Sequence, residues 1–228
     1  MDGRGIDTKV MSALVEDVSA LKKEGRNVAI VTSGAVGVGI KAGRDAQTAA
    51  GVGQPKLMST YLKMFDEWGI EVSQLLLTKH EFATGLHIMW KVVRPINIDF
   101  SQGIVTIINE NDRITTKRTT LGDNDGLSSR VACAVHADAF ILMSRKDNGT
   151  NGRGGGEAKY NAICKVERAG ILAMLVDGKR EHVIRDAFRG CVSGYESVDA
   201  LKALHSNSGM KTLNADAKLN RHLRKKVK

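Results

Sequence analysis

Apolar positions along this chain repeat with two alternating periods, one helical and one extended. Val10, Leu14, Val18 and Leu21 share a helical face, with Asp7 where a cap belongs and Gly25 where the helix should stop. The charge-free run Val28–Val31 then reads as a buried strand. It delivers Thr32, Ser33, Gly34 and Ala35 into a glycine-rich turn containing Gly37, Gly39 and Gly43, where small residues let backbone N–H groups approach an anion. A second amphipathic helix is predicted over Gln54–Trp68, with Leu57, Tyr61, Met64 and Trp68 on one face, Pro55 in its first turn and Gly69 past its end. Ile70–Leu77 follows as a strand. Residues 81–100 show no clean period, and Pro95 should interrupt any helix there.

The stretch from Gly103 to Ala132 organises the rest. Ile104, Val105, Thr106, Ile107 and Ile108 carry no charge, which suits a strand covered on both faces of a parallel sheet. Asn109, Glu110, Asn111 and Asp112 follow at once. After a basic loop, Gly122, Asp123, Asn124 and Asp125 stand at the head of a segment in which Leu127, Val131 and Val135 keep helical spacing, so Asp123 or Asn124 is the expected cap. A strand over Ala139–Met143, a glycine-rich loop over Gly149–Gly156, a helix over Glu157–Ala169, a strand over Ile171–Val176 and a helix over Val183–Phe188 complete the pattern. Such alternation predicts an α/β fold, a three-layer α/β/α sandwich around a largely parallel sheet. From Ser193 the pattern decays, so residues 1–192 are expected to form one domain and 193–228 a linker and basic tail with no second folded domain.

Composition narrows the function classes. No apolar run in the 228 residues approaches the roughly 18 that cross a bilayer, and the start MDGRGIDTK lacks the look of a secretory signal, so a cytoplasmic protein is expected. Cys133, Cys164 and Cys191 form no ligand pattern, and the first two fall in apolar helical stretches as expected buried thiols. Residues 211–228 hold seven Lys or Arg against Asp216, which accounts for six of the nine net positive charges. With aromatics at 4%, no basic and aromatic stacking surface for single strands is present, and neither a nucleic acid nor a membrane is the expected partner.

INEND followed by GDND resembles the amino acid kinase family, in the branch that phosphorylates glutamate. The likeness extends through VTSGAVGVG, VGQPKLM, LLLT, ADAFILMS and GRGGGEAK, covering most of residues 3–190. It implies transfer of phosphate from ATP to the γ-carboxylate of L-glutamate, with Mg2+ on the nucleotide phosphates and a homo-oligomeric protein. Ser33, Gly34, Asp112 and Asn124 fall on the family's glutamate-binding positions. Asp112 has the chemistry to pair with an α-ammonium group, and Ser33 and Asn124 can donate to carboxylate oxygens. Ser144, Arg145, Gly154, Gly155, Gly156 and Lys159 fall on the nucleotide segment, Lys159 being the lysine that meets the phosphates. Asp125 matches the aspartate that orients catalytic lysines.

Three departures accompany the resemblance. The chain begins after the family's first strand, which carries a Lys and a Gly-Ser turn. Its absence should remove one cationic phosphate contact and leave two sheet neighbours unpaired. Where the family has Thr-Asp and a longer nucleotide segment, Ser144 and Arg145 lead almost directly into the second glycine loop, and residues 40–50 are also short. Thr106 stands where the family has proline. Two other readings therefore stay open: an inactive glutamate-binding or regulatory homologue, and a nucleic-acid-binding module working through the basic tail, whose affinity would fall steeply with salt.

Overall fold

A computed structural model describes residues 5–116, 124–144 and 155–189. Helix α1 (Thr8–Lys23) starts at Asp7, whose carboxylate accepts from Val10 N–H at 3.2 Å. It stops at Gly25, where φ is +77° and the next N–H groups turn back to Lys22 and Leu21. Strand β1 (Ala29–Val31) leads into a one-turn helix α2 (Ala35–Gly39), and Asp45 caps helix α3 (Ala46–Asp66) by accepting from Thr48 N–H. Strand β2 (Val72–Leu77) precedes a 3-10 turn over Lys79–Phe82, helix α4 (Gly85–Ile88), a π turn over Met89–Val93 and helix α5 (Arg94–Ser101). Then come β3 (Val105–Glu110), α6 (Asn124–Ala134), β4 (Ala139–Ser144), α7 (Gly155–Arg168), β5 (Leu172–Asp177) and α8 (Val183–Arg189).

All strand pairs are parallel, as the alternation predicts. β3 lies between β1 and β2, and every residue from Val105 to Glu110 is buried. Its side chains alternate between two cores. Val105 and Ile107 pack with Val15 and Val18 of α1 and with Leu57, Tyr61 and Phe65 of α3. On the other face Ile108 packs with Val92, Ile96, Leu127 and Val131. Two covered faces make three layers. β4 and β5 pair in a separate sheet, and among the described residues no strand ladder joins it to the first. Helices bridge the two: α6 lies against β1, β3 and β4, while Leu14 of α1 and Val28 pack against both cores of that side. Asp17, 1% exposed, fastens α8 to α1 by accepting from the N–H groups of Ile184 and Arg185 at 3.0 and 3.2 Å.

Several sequence expectations are corrected. The glycine-rich segment after Thr32 is not an open anion turn, because Ala35–Gly39 closes into α2 and packs on α3. A Cβ on Gly39 would fall 1.8 Å from the Ala49 carbonyl oxygen, and one on Gly53 would fall 1.8 Å from that of Ala35. Those glycines serve backbone contact between helices. α3 begins at Ala46 rather than Gln54, which puts Pro55 inside the helix. Proline there gives up the bond to the Gly51 carbonyl. Residues 81–100 are mostly helical, because a π turn precedes Pro95 and the proline falls in the first turn of α5, where its N–H is not required. Cys133 and Cys164 are half-buried free thiols rather than buried ones. Thr106 donates from its hydroxyl to Asp99 at 2.8 Å, and Ser73 donates to the same carboxylate oxygen. Asp99 thereby joins α5 to β2 and β3.

Candidate active site

Because the strands of each sheet are parallel, their carboxyl ends open on one edge, where α/β proteins of this kind bind small ligands. β1 ends one residue before Thr32, whose N–H donates to Ile108 O at 2.8 Å, so the Ser33–Gly34 turn lies beside the end of β3. Ser33 is exposed, and Gly34 holds φ at +102°, a left-handed value that favours glycine. Thr32 is buried and its hydroxyl bonds the Tyr61 hydroxyl at 3.0 Å, with burial pushing the Tyr61 phenol up from its ordinary pKa. At the end of β3, Asn109 Nδ2 donates to Gln54 Oε1 at 2.9 Å, and Asn109 Oδ1 accepts from Glu110 N–H at 2.8 Å. Asp112 follows, half-buried. Burial first, and the Glu110 carboxylate second, hold its carboxyl above the usual carboxylate range. A cation brought beside Asp112 would offset both effects.

The second half is built differently. Asn124 and Asp125 open α6, and Lys159 stands in the second turn of α7. Those helices pack together, and Lys159 Nζ lies 2.8 Å from Asp125 Oδ2 with side chains 25% and 21% exposed. The ammonium spends one of its three donors on Asp125. Among the described residues, Asn124 Oδ1 is buried with no hydrogen-bond partner, an acceptor that suits an ammonium group. Ser144 ends β4, and its carbonyl accepts from Gly178 N–H at 2.8 Å.

The amino acid kinase family model matches residues 2–149. The chain belongs to the amino acid kinase family. Among curated relatives, a glutamate 5-kinase from Symbiobacterium thermophilum is 33% identical over 227 residues, covering 79% of this chain and 84% of that protein. Another from Bacteroides thetaiotaomicron is 30% identical, covering 79% of this chain and 61% of its own length. This amino acid kinase thus spans about six-tenths to five-sixths of such relatives. The structure of an isopentenyl phosphate kinase from T. acidophilum superposes with a TM-score of 0.55 at 12% identity, covering 79% of this chain and 86% of that one, which shows the shared fold.

Two expected elements of the kinase site change character. Gly155 and Gly156 belong to α7 rather than to a loop before it. Arg145, Gly154, the basic loop before Asn124, Cys191 and the tail from Ser193 lie outside the described residues. Among the described residues, no helix is long and apolar enough to cross a membrane. Sequence reasoning did not single out Gln54, whose amide bonds Asn109 at the end of β3. For Gln54 the signal was present but unread: a polar side chain one turn before Leu57 and Met58 on the buried side of α3.

Proposed function

We propose that this chain is a glutamate 5-kinase, transferring the γ-phosphoryl group of ATP to the γ-carboxylate of L-glutamate to give glutamyl 5-phosphate and ADP, the first step of proline biosynthesis. The observation that carries the reading is the Lys159–Asp125 ion pair beside Asn124, a phosphate-ready cation held at a helix start. The glutamate 5-kinase relatives support it.

In this reading the acid end and the phosphate end of the reaction come from different halves. Asp112 pairs with the α-ammonium group, which restores its ionised form, and Asn124 Oδ1 gains the donor it lacks. Ser33 Oγ and the Gly34 N–H donate to carboxylate oxygens. A γ-carboxylate oxygen attacks the γ-phosphorus in line. The new phosphorus–oxygen bond forms as the bond to the β-phosphate bridging oxygen breaks, and no proton has to move because the nucleophile is already ionised. Lys159 and the first N–H groups of α7 stabilise charge on the transferring group and on the leaving ADP. Asp125 keeps the ammonium aimed. Mg2+ bound to the nucleotide would shield phosphate charge, a role that asks few ligands of the protein.

Hydroxylamine trapping tests this directly. Incubation of the full chain with L-glutamate, ATP and Mg2+ should give a hydroxamate that depends on all three. No hydroxamate from well-folded protein, together with melting that glutamate leaves unmoved, would overturn the assignment.

A further inference from the structure

A buried polar relay ends in a donor with nothing to bond. Glu110 N–H donates to Asn109 Oδ1, which fixes which end of the Asn109 amide carries oxygen. Its Nδ2 must then face Gln54, so Gln54 presents Oε1 to Asn109 and turns its own Nε2 away. Among the described residues that Nε2 has no hydrogen-bond partner, although Gln54 is only 8% exposed. Turning the amide over would set two donors against each other. The backbone of β3 therefore dictates the spare donor, two side chains removed. Buried amides without partners are uncommon and costly, and they call for an acceptor that arrives later.

The place of Gln54 in the fold says which acceptor. Its neighbour Gly53 lies against the Ala35 carbonyl just past the Ser33–Gly34 turn, and its amide touches the end of β3, three residues before Asp112. Gln54 thus lies between the two segments read as holding the α-end of the amino acid, in the half opposite Lys159. We propose that Gln54 donates from Nε2 to the α-carboxylate of the acceptor and so sets the preference for an α-amino acid over a simple carboxylic acid. Side chains at binding sites commonly shift rotamer on binding, which brings a donor just below the surface within reach of a seated carboxylate. The inference rests on the glutamate reading above and extends it to specificity.

The test titrates the full-length chain with L-glutamate and with 4-aminobutyrate, which keeps the reacting carboxylate and the amine but lacks the α-carboxylate. Gln54→Met should weaken L-glutamate about tenfold or more and leave 4-aminobutyrate within about twofold, the loss expected of one hydrogen bond to a charged group. Gln54→Glu keeps an oxygen for Asn109 Nδ2, removes the donor and sets a negative charge against the α-carboxylate. It should show the same collapse of selectivity, which covers the case in which the methionine variant fails to fold. Equal weakening of both ligands would make Gln54 a structural support and overturn the proposal, as would an unchanged selectivity ratio. Wild-type protein that binds and phosphorylates glutamate while either folded variant keeps the ratio sinks this inference alone. Wild-type protein that binds no glutamate sinks the function with it.

Discussion

In the three-stranded sheet, the side chains nearest the cleft are tied to one another through the core: Thr32 to Tyr61, and Asn109 to Gln54 and Glu110. Around β4 and β5 the described chemistry rests instead on one partly exposed ion pair between two helices. The first arrangement couples position to packing, so damage there should appear in stability and acceptor affinity together. The second couples position to charge alone. A partly exposed ion pair contributes only about 0–1 kcal/mol to folding, so damage there should appear in turnover and leave stability nearly untouched.

The sharpest test of that contrast removes the cation. Lys159→Ala should lower the hydroxamate rate roughly 10²–10³-fold, the range expected for losing one preorganised donor to a transition-state oxyanion. Glutamate-induced stabilisation and the melting temperature should barely change. A large drop in melting temperature would show that the two halves are not built on different principles after all.

Packing in the other half is probed by Gly53→Ala. The new methyl group would fall 1.8 Å from the Ala35 carbonyl oxygen, so α2 and α3 must separate, at a cost at or above the usual overpacking range of about 1–3 kcal/mol. Because α2 follows directly on Gly34, glutamate affinity should fall as well. Urea denaturation and calorimetric titration read both effects. Unfolding at unchanged denaturant would mean that α2 is not seated against α3.

Asp112→Asn separates function from stability within one residue. Asp112 has a raised pKa in the folded chain, from burial and then from Glu110, so its ionised form is disfavoured by folding. A group of this kind contributes stability fully below its unfolded pKa and loses it as pH rises through the folded value. The amide carries no such dependence, so the variant should melt higher than wild type at pH 8, with the gain shrinking as pH falls through the folded value and gone below about pH 4. Its glutamate affinity should fall roughly tenfold to a hundredfold, as expected for a lost charged hydrogen bond to the ammonium. A lower melting temperature at pH 8 would contradict the burial argument.

What could be read from sequence divides along the same line as local and distant causes. Asp7 as a cap, Gly25 as a stop and the charge-free run before Asn109 act within a few residues, and each is found where local pattern puts it. Gly39 misled because a glycine needed for backbone contact looks the same in sequence as one needed for an anion. Only Gly53, far along the chain, distinguishes them. Pro55 and Pro95 misled in a similar way, since a helix that starts earlier or a π turn that widens the coil depends on what packs around it. Of the site, Lys159 and Asp125 were chosen from motifs and do meet. Gln54 was not, because its role depends on an amide orientation set by a backbone N–H 56 positions away, at Glu110.

The smallest effect concerns Thr106, in the middle of β3. Its hydroxyl and that of Ser73 both donate to one oxygen of Asp99, so α5 is held to two strands by a single carboxylate. Thr106→Val keeps the β-branched shape and the strand's backbone bonds and deletes only the hydroxyl. Asp99 would still accept from Ser73, so no buried charge is left without a partner, and the loss should be about 1 kcal/mol, the net worth of one hydrogen bond. Glutamate affinity should not move, since Asp99 joins the sheet at the end opposite Asp112. Proline at the same position is a harsher change. It removes the Thr106 N–H from a strand paired on both sides as well as the hydroxyl, and should cost clearly more than the valine variant. If Thr106→Pro were as stable as wild type, the Asp99 link would be an ornament of this chain rather than a contact that holds α5 to the sheet.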